Sequence, residues 1–177
     1  MNGVFKTFLH ESMVDAMELA GQSDGRLEVF PQAPFPPSRY GLAFHVPFLR
    51  TLPSGTVEVV TIEPVLVGLT FPESYLRSAD RHLLLSIVSV LTPRVLHPNV
   101  RGGFVCLGDL MPGTPLRILL FELYEILGYR NLGLDERNAL VPDACRFLRG
   151  NPDLLPKLVA PPLRSRRPVL SVRVSTR

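Results

Sequence analysis

Residues 92–107 cannot form a helix, and that one stretch divides the chain in two. Pro93 and Pro98 push the residues before them out of helical dihedrals, so the segment runs as an extended loop. Gly102 and Gly103 lie between its apolar pieces and permit a tight turn and the close approach of an incoming chain. Strand formers crowd the sequence before this segment, and helix formers the sequence after it.

Upstream, residues 4–20 place Phe5, Phe8, Leu9, Met13, Ala16, Met17 and Ala20 at helical spacing, with Glu11, Asp15 and Glu18 on the wet face. Gly21 is the expected stop. Residues 27–30 read as a short strand, and residues 31–37, which hold four prolines, as a loop. Residues 40–49 and 56–70 are rich in β-branched and aromatic side chains and are separated by the turn signal Pro53-Ser54-Gly55. Phe71-Pro72-Glu73-Ser74-Tyr75 is a turn, and residues 83–90 are the next strand or buried segment. An antiparallel meander of about four strands is the simplest arrangement.

Downstream, residues 115–127 are apolar nearly all round, which fits a central buried helix. Residues 138–150 read as another helix, with Pro142 in its first turn and Gly150 at its end, and residues 154–158 continue it briefly. From residue 160 the chain is linker-like, and residues 169–174 alternate like an edge strand. The expected division is a domain over residues 1–156 and a basic, proline-containing extension over residues 157–177.

At 177 residues the chain is long enough for one domain with a real core, and 46% apolar with 20% charged residues suits a globular protein. Its longest apolar stretch, residues 83–91, is too short to cross a bilayer and is interrupted by Ser86 and Ser89, so no membrane partner is expected. The N-terminus lacks the features of a secretion signal, which places the protein in the cytoplasm with reduced thiols. Cys106, Cys145, His10, His45, His82 and His97 show no zinc spacing, so neither a metal nor a cofactor is expected. Residues 1–156 carry 13 basic and 16 acidic side chains, whereas residues 157–177 carry six basic and none acidic. The arginines of that extension suit an acidic partner surface, membrane lipid or nucleic acid, or simply a solvated tail. Without interleaved aromatics they argue against nucleic acid.

The extended segment also carries the chemistry. Asn99 stands seven residues before Cys106. A thiolate is both a strong nucleophile and a good leaving group, which suits two successive acyl transfers. A neutral carboxamide beside it can donate to the oxyanion that forms as the acyl group moves. A lone free cysteine reads as core, as Cys145 does on a helix face with Leu148. Asn99, Gly102 and Gly103 turn the reading of Cys106 toward a nucleophile. Asn99 has a second reading, as a brace that holds the loop through backbone hydrogen bonds.

His97-Pro98-Asn99 followed by Gly102-Gly103 and Cys106-Leu107 resembles the active-site signature of the ubiquitin-conjugating enzymes. Phe71-Pro72 and Tyr75 are similar to that family's Phe-Pro…Tyr-Pro stretch, with Leu76 in place of the second proline. Thr114-Pro115 resembles the Ser-Pro that opens the family's central helix, here without the preceding tryptophan. Ala139-Leu140-Val141-Pro142-Asp143-Ala144 and Phe147-Leu148-Arg149-Gly150-Asn151 resemble the opening and the end of its next helix. The likeness covers residues 56–153 in three blocks, all in the family's order.

The resemblance implies the α+β conjugating (UBC-like) fold: an N-terminal helix, an antiparallel meander, an extended active-site loop and C-terminal helices. It implies that Cys106 accepts the C-terminal acyl group of a ubiquitin-like protein from an activating enzyme, as a thioester, and yields it to an amine of a protein or other acceptor. Asn99 would be the catalytic donor, the loop brace, or both. His97 would hold the loop rather than act as a base, with Pro98, Gly102, Gly103 and Leu107 completing the support. Members of the family often place an aspartate just before the Pro-Leu opening to orient the acceptor lysine. The matching position is Asn138, which brings no charge; Asp135 or Glu136 substitutes, or the acceptor differs. Asn138 also reads as a helix cap.

Arginine outnumbers lysine 17 to 2, which is first of all what a GC-rich genome gives; the functional alternative is an enzyme that attaches proteins to lysines and offers few of its own. Leu76 and the altered approach to Pro115 depart from the surface that RING-type ligases read, so the need for a ligase stays open. The drift outside the three blocks is similar to that of standalone conjugating enzymes from bacterial ubiquitin-like operons, some linked to antiphage defence. Two other readings use the same residues. One is a non-catalytic module of this fold that binds a ubiquitin-like protein, and the other is a hydrolase built on Cys106 and His97.

Overall fold

The computed structural model describes residues 3–77, 87–108 and 111–163. Its architecture is α+β, with an N-terminal helix α1 (Gly3–Gly21), a six-stranded antiparallel sheet, a separate two-stranded ribbon and C-terminal helices. Helix α1 buries Phe5, Leu9, Ser12, Ala16 and Leu19, a stripe at helical spacing. That stripe packs against β1 (Leu27–Gln32) and α2 (Leu116–Leu127). Met17, expected on the apolar face, is instead 47% exposed, because the stripe through Ala16 and Leu19 turns it outward.

The other strands are β2 (Arg39–Phe44), β3 (Phe48–Thr51), β4 (Val57–Val60), β5 (Val65–Thr70), β6 (Val88–Val90), β7 (Val100–Arg101) and β8 (Phe104–Val105). The sheet order is β1-β2-β5-β6-β8-β7. Strand β1 runs on through Pro31, which was expected in a loop; at a sheet edge a missing N–H is tolerated. Val29, Leu42, Phe44, Val67, Leu69, Val88 and Val90 point inward onto α2, where Tyr124 meets the Phe44 ring at 6.5 Å.

The two long β-rich stretches do not each make one strand, so the expected plain meander is corrected. The chain leaves the sheet after Phe44, where Pro47 has no N–H to donate, and returns at Val65 after Pro64. Between these points β3 and β4 pair with each other as a ribbon, and β5 takes the place beside β2. The ribbon grips the approach to the site: Leu96 N–H donates to the Leu49 carbonyl at 2.8 Å, and Thr51 N–H to the Arg94 carbonyl at 3.0 Å.

Residues 92–107 are not loop throughout either, because β7 and β8 form a hairpin that joins the sheet through β6. Helix α2 begins one residue after Pro115, as its apolar run predicts, and buries Leu116, Leu119, Leu120, Leu123, Tyr124, Ile126 and Leu127. Helix α3 (Pro142–Gly150) starts at the proline itself, since Val141 before it sits outside the helical region at φ −127° and ψ 85°, as a residue preceding proline is pushed to do. Asn138 is therefore not its cap.

The block around Phe71 and Tyr75 meets the block around Thr114: the buried Tyr75 hydroxyl donates to the Thr114 carbonyl at 2.9 Å. A 3-10 turn (Pro152–Leu154) and the short α4 (Leu155–Leu158) close the described chain. Residues 157–163, expected in the extension, pack onto the domain: Leu158, Ala160 and Leu163 are buried, and Ala160 N–H donates to the Gly128 carbonyl. The expected strand positions 83–86 and the alternating segment 169–174 lie outside the described residues. Among the described residues, no helix is long and apolar enough to cross a membrane.

Candidate active site

Gly102 and Gly103, at φ +56° and +90°, form the two-residue turn of the β7–β8 hairpin. Successive positive φ values match a type I′ turn, whose twist suits antiparallel strands and fixes their register. Arg101 then faces Phe104 and Val100 faces Val105. One pair further, Cys106 N–H donates to the Asn99 carbonyl at 2.9 Å. Seven residues of sequence thus fold back until Asn99 and Cys106 are cross-strand neighbours. Gly103 makes its close approach to β6 of its own sheet. A Cβ there would come within 3.2 Å of Ser89 Oγ and 3.3 Å of the Val90 carbonyl.

The turn before the hairpin is built on His97, whose ring is 1% exposed. Its Nε2 donates to the Ile126 carbonyl of α2 at 2.9 Å, and its Nδ1 accepts the Asn99 N–H at 3.0 Å. Both nitrogens are occupied, which fixes the neutral tautomer. Burial pushes its pKa down to about 4, so the ring is uncharged at neutral pH. Tyr129 packs on the imidazole at 4.5 Å between centroids and donates its hydroxyl to the Leu96 carbonyl. Pro98 is buried beneath the turn, and its carbonyl accepts the N–H of Val141 at 3.0 Å. His97 has neither the access nor the free nitrogen that a base for Cys106 needs.

Asn99 braces this turn with its backbone, through both its N–H and its carbonyl. Among the described residues its side-chain amide takes no hydrogen-bond partner. The bracing work and the side chain are therefore separate. Cys106 is a free, half-buried thiol, whereas Cys145 is a free thiol sealed in the core whose pKa burial pushes up.

Asn99, Cys106 and Leu107 open onto a cleft of about 270 Å³, walled opposite by Asn131, Gly133, Asp135 and Asn138 and floored by Glu122 and Ile126 of α2. Asp135 and Asn138 thus reach the cleft, as the sequence suggested. Glu136 does not line it: its carboxylate is paired with Arg146 and Arg149 on α3. Asp135 is held below the usual carboxylate range by Arg137, which donates from Nε at 3.1 Å and from Nη2 at 2.9 Å. Glu122, Asn131 and Gly133 were not singled out from the sequence. In the sequence Glu122 is one of two glutamates in an apolar helix, and nothing local shows that it lines the cleft with Ile126, one helical turn on. Among the described residues no group of three or more His, Cys, Asp or Glu side chains can hold a metal.

The arrangement offers a nucleophilic sulfur, an adjacent amide donor and an acid-lined approach, which together suit acyl transfer. No protein-family model matches this chain, and the search of curated proteins finds no match.

Proposed function

We propose that this protein is a conjugating enzyme of the ubiquitin-conjugating type, carrying a ubiquitin-like protein as a thioester on Cys106 and passing it to an amine. The observation that carries the reading is the hairpin register, which makes Asn99, with its uncommitted side chain, the cross-strand neighbour of Cys106 at the same cleft. The α+β architecture, with α1 before the sheet and α2 and α3 after it, supports the UBC-like form of the fold.

In the first transfer Cys106 Sγ attacks the thioester carbonyl on the activating enzyme, and that enzyme's thiolate leaves. In the second, the acceptor amine attacks the Cys106 thioester; the C–N bond forms, the C–S bond breaks, and the electron pair leaves on Sγ while the amine proton passes to water. Each step raises an oxyanion, and the Asn99 amide is placed to donate to it. Neither step asks Cys106 to activate water, and the occupied His97 ring supports transfer over hydrolysis. A free thiol of this kind belongs in a reducing compartment, the cytoplasm.

The test is charging with the cognate activating enzyme, the ubiquitin-like protein and ATP, read on gels with and without reductant. A reductant-sensitive adduct is expected, lost in Cys106→Ala and reductant-resistant in Cys106→Ser. No adduct from a demonstrably charged activating enzyme would overturn the carrier role and leave a binding module of the same fold.

A further inference from the structure

We infer that residues 169–174 of this chain dock antiparallel on the open edge of β4, as a third strand of the β3–β4 ribbon. Leu52 N–H donates to the Thr56 carbonyl, and in an antiparallel ladder such pairs recur at every second residue. Arg50 therefore bonds with Glu58, and Phe48 with Val60. Leu49 and Thr51 point away from β4, and they are the residues that bond to Leu96 and Arg94. On the other strand Val57 and Val59 point away from β3, and their outward N–H and carbonyl groups meet no partner among the described residues. The edges of the larger sheet are blunted by comparison. At the free edge of β1, Ser23 Oγ bonds to both main-chain groups of Leu27, and Pro31 has no N–H to give. Strand β7, at the opposite edge, is only two residues long.

The register, the charge and the reach all select this occupant. Residues 169–174, Val-Leu-Ser-Val-Arg-Val, alternate with the period of a strand. Set antiparallel with Val172 opposite Val59 and Val174 opposite Val57, the segment places valine beside valine, on the face that shares a cluster with Leu154 and Leu155. The same register sets Arg173 beside the partly exposed carboxylate of Glu58 and carries Val169 toward Ile62, which is 91% exposed. Residues 56–63 hold two acids and no base, whereas residues 157–177 hold six bases and no acid. Leu158 lies in the cluster with Val57 and Val59, and the described chain reaches Leu163 five residues later. The six residues on to Val169 span up to about 20 Å, enough to come back. Direction agrees as well: the Val60 end of β4 pairs with Phe48, two residues from Val46, and Val46 and Ala160 both lie against Gly128. A second copy fits less well, because β4 paired with β4 through Val57 and Val59 sets Glu58 opposite Glu58. Docking of the segment covers an edge of valines that would otherwise template pairing between molecules. It does so on the ribbon whose far side bonds to the approach to His97.

The experiment follows amide hydrogen exchange at Val57 and Val59 in the full chain, at two protein concentrations. In this register the N–H groups of Val172 and Val174 face β4, and that of Ser171 faces away. Val172→Pro therefore removes a bond to β4, and Ser171→Pro removes none. Wild type and Ser171→Pro are expected to exchange both amides slowly, and Val172→Pro to exchange them about tenfold faster or more, all independent of concentration. Arg173→Glu is expected to speed exchange roughly threefold by setting two carboxylates side by side. Exchange at Leu42 and Val67, in the centre of the larger sheet, checks that the domain is intact in each variant. Equal exchange in wild type and Val172→Pro, or equal acceleration by the two prolines, would overturn the inference. Protection that grows with concentration, together with a dimer in sedimentation, would also overturn it and assign the edge to a second copy.

Discussion

Residues 97–106 and residues 131–141 face one another across the cleft, and they are held in opposite ways. The first stretch is bonded at every turn: His97 is tied to α2 and to Asn99, the hairpin register is fixed by two left-handed glycines, and Val90 N–H donates to the Gly103 carbonyl at 2.7 Å. The second has no regular structure and is joined to the first by one main-chain bond, from Val141 to Pro98. It is held instead by Leu132 and Leu134 packed on the cluster around Leu148, and by ion pairs at the surface, Asp135 with Arg137 and Glu136 with α3, which stabilise by little each. The residues we propose to act on the acyl carbon therefore sit on the densely bonded side of the cleft, and the proposed acceptor wall on the sparsely bonded side.

If His97 holds the densely bonded side together, substituting it should have the largest structural effect. His97→Asn is expected to cost about 2–4 kcal/mol in urea unfolding, from a lost buried bond and an unfilled volume. The folded His97 pKa of about 4 lies below the ordinary histidine value, so its contribution is complete above the unfolded pKa of about 6.5 and is lost as pH falls toward 4. The wild type should lose on the order of 3 kcal/mol across that window, and His97→Asn should show a flatter acid limb. Discharge should show no inflection from His97 between about pH 5 and 8.

The hairpin turn gives the next contrast. Gly103→Ala combines a left-handed φ with contact against Ser89 and the Val90 carbonyl, and should cost about 1–3 kcal/mol in thermal unfolding. Gly102, at φ +56° with open space around it, should accept Asn at a cost of no more than ~0.5 kcal/mol, since Asn tolerates that conformation.

The opposite wall should be far more forgiving. Asn138→Ala is expected to leave stability within about 0.5 kcal/mol and to lower lysine discharge by roughly threefold to tenfold, the effect of one neutral hydrogen bond. Glu136→Gln should leave discharge unchanged and alter stability by less than about 1 kcal/mol, because its carboxylate serves only Arg146 and Arg149. A larger effect of Glu136→Gln on discharge than of Asn138→Ala would undo the assignment of this wall.

The same difference governs what could be read from the sequence. The hairpin was nearly legible, because proline and glycine at fixed spacing act locally: the pair at 102 and 103 announces the turn, and the turn sets Asn99 against Cys106. Helices α1 and α2 were legible from apolar spacing. The ejection of the β3–β4 ribbon was not, since it depends on which strand pairs with β2, a choice made between residues far apart in the chain. Asn138 looked like a cap because it precedes a helical pattern, yet Pro142 delays the helix. Glu122 could be read as a less buried position of α2, but not as a lining of the cleft, because that depends on where residues 99–107 and 131–138 come to lie against the helix.

The most direct measurement is single-turnover discharge of the charged protein in wild type and Asn99→Ala, alongside their unfolding curves. The backbone bonds of Asn99 survive the substitution, so the account predicts a fall in discharge on the order of 10²–10³ with stability changed by less than about 1 kcal/mol. Unchanged discharge, or a loss of rate matched by a collapse in stability, would contradict it.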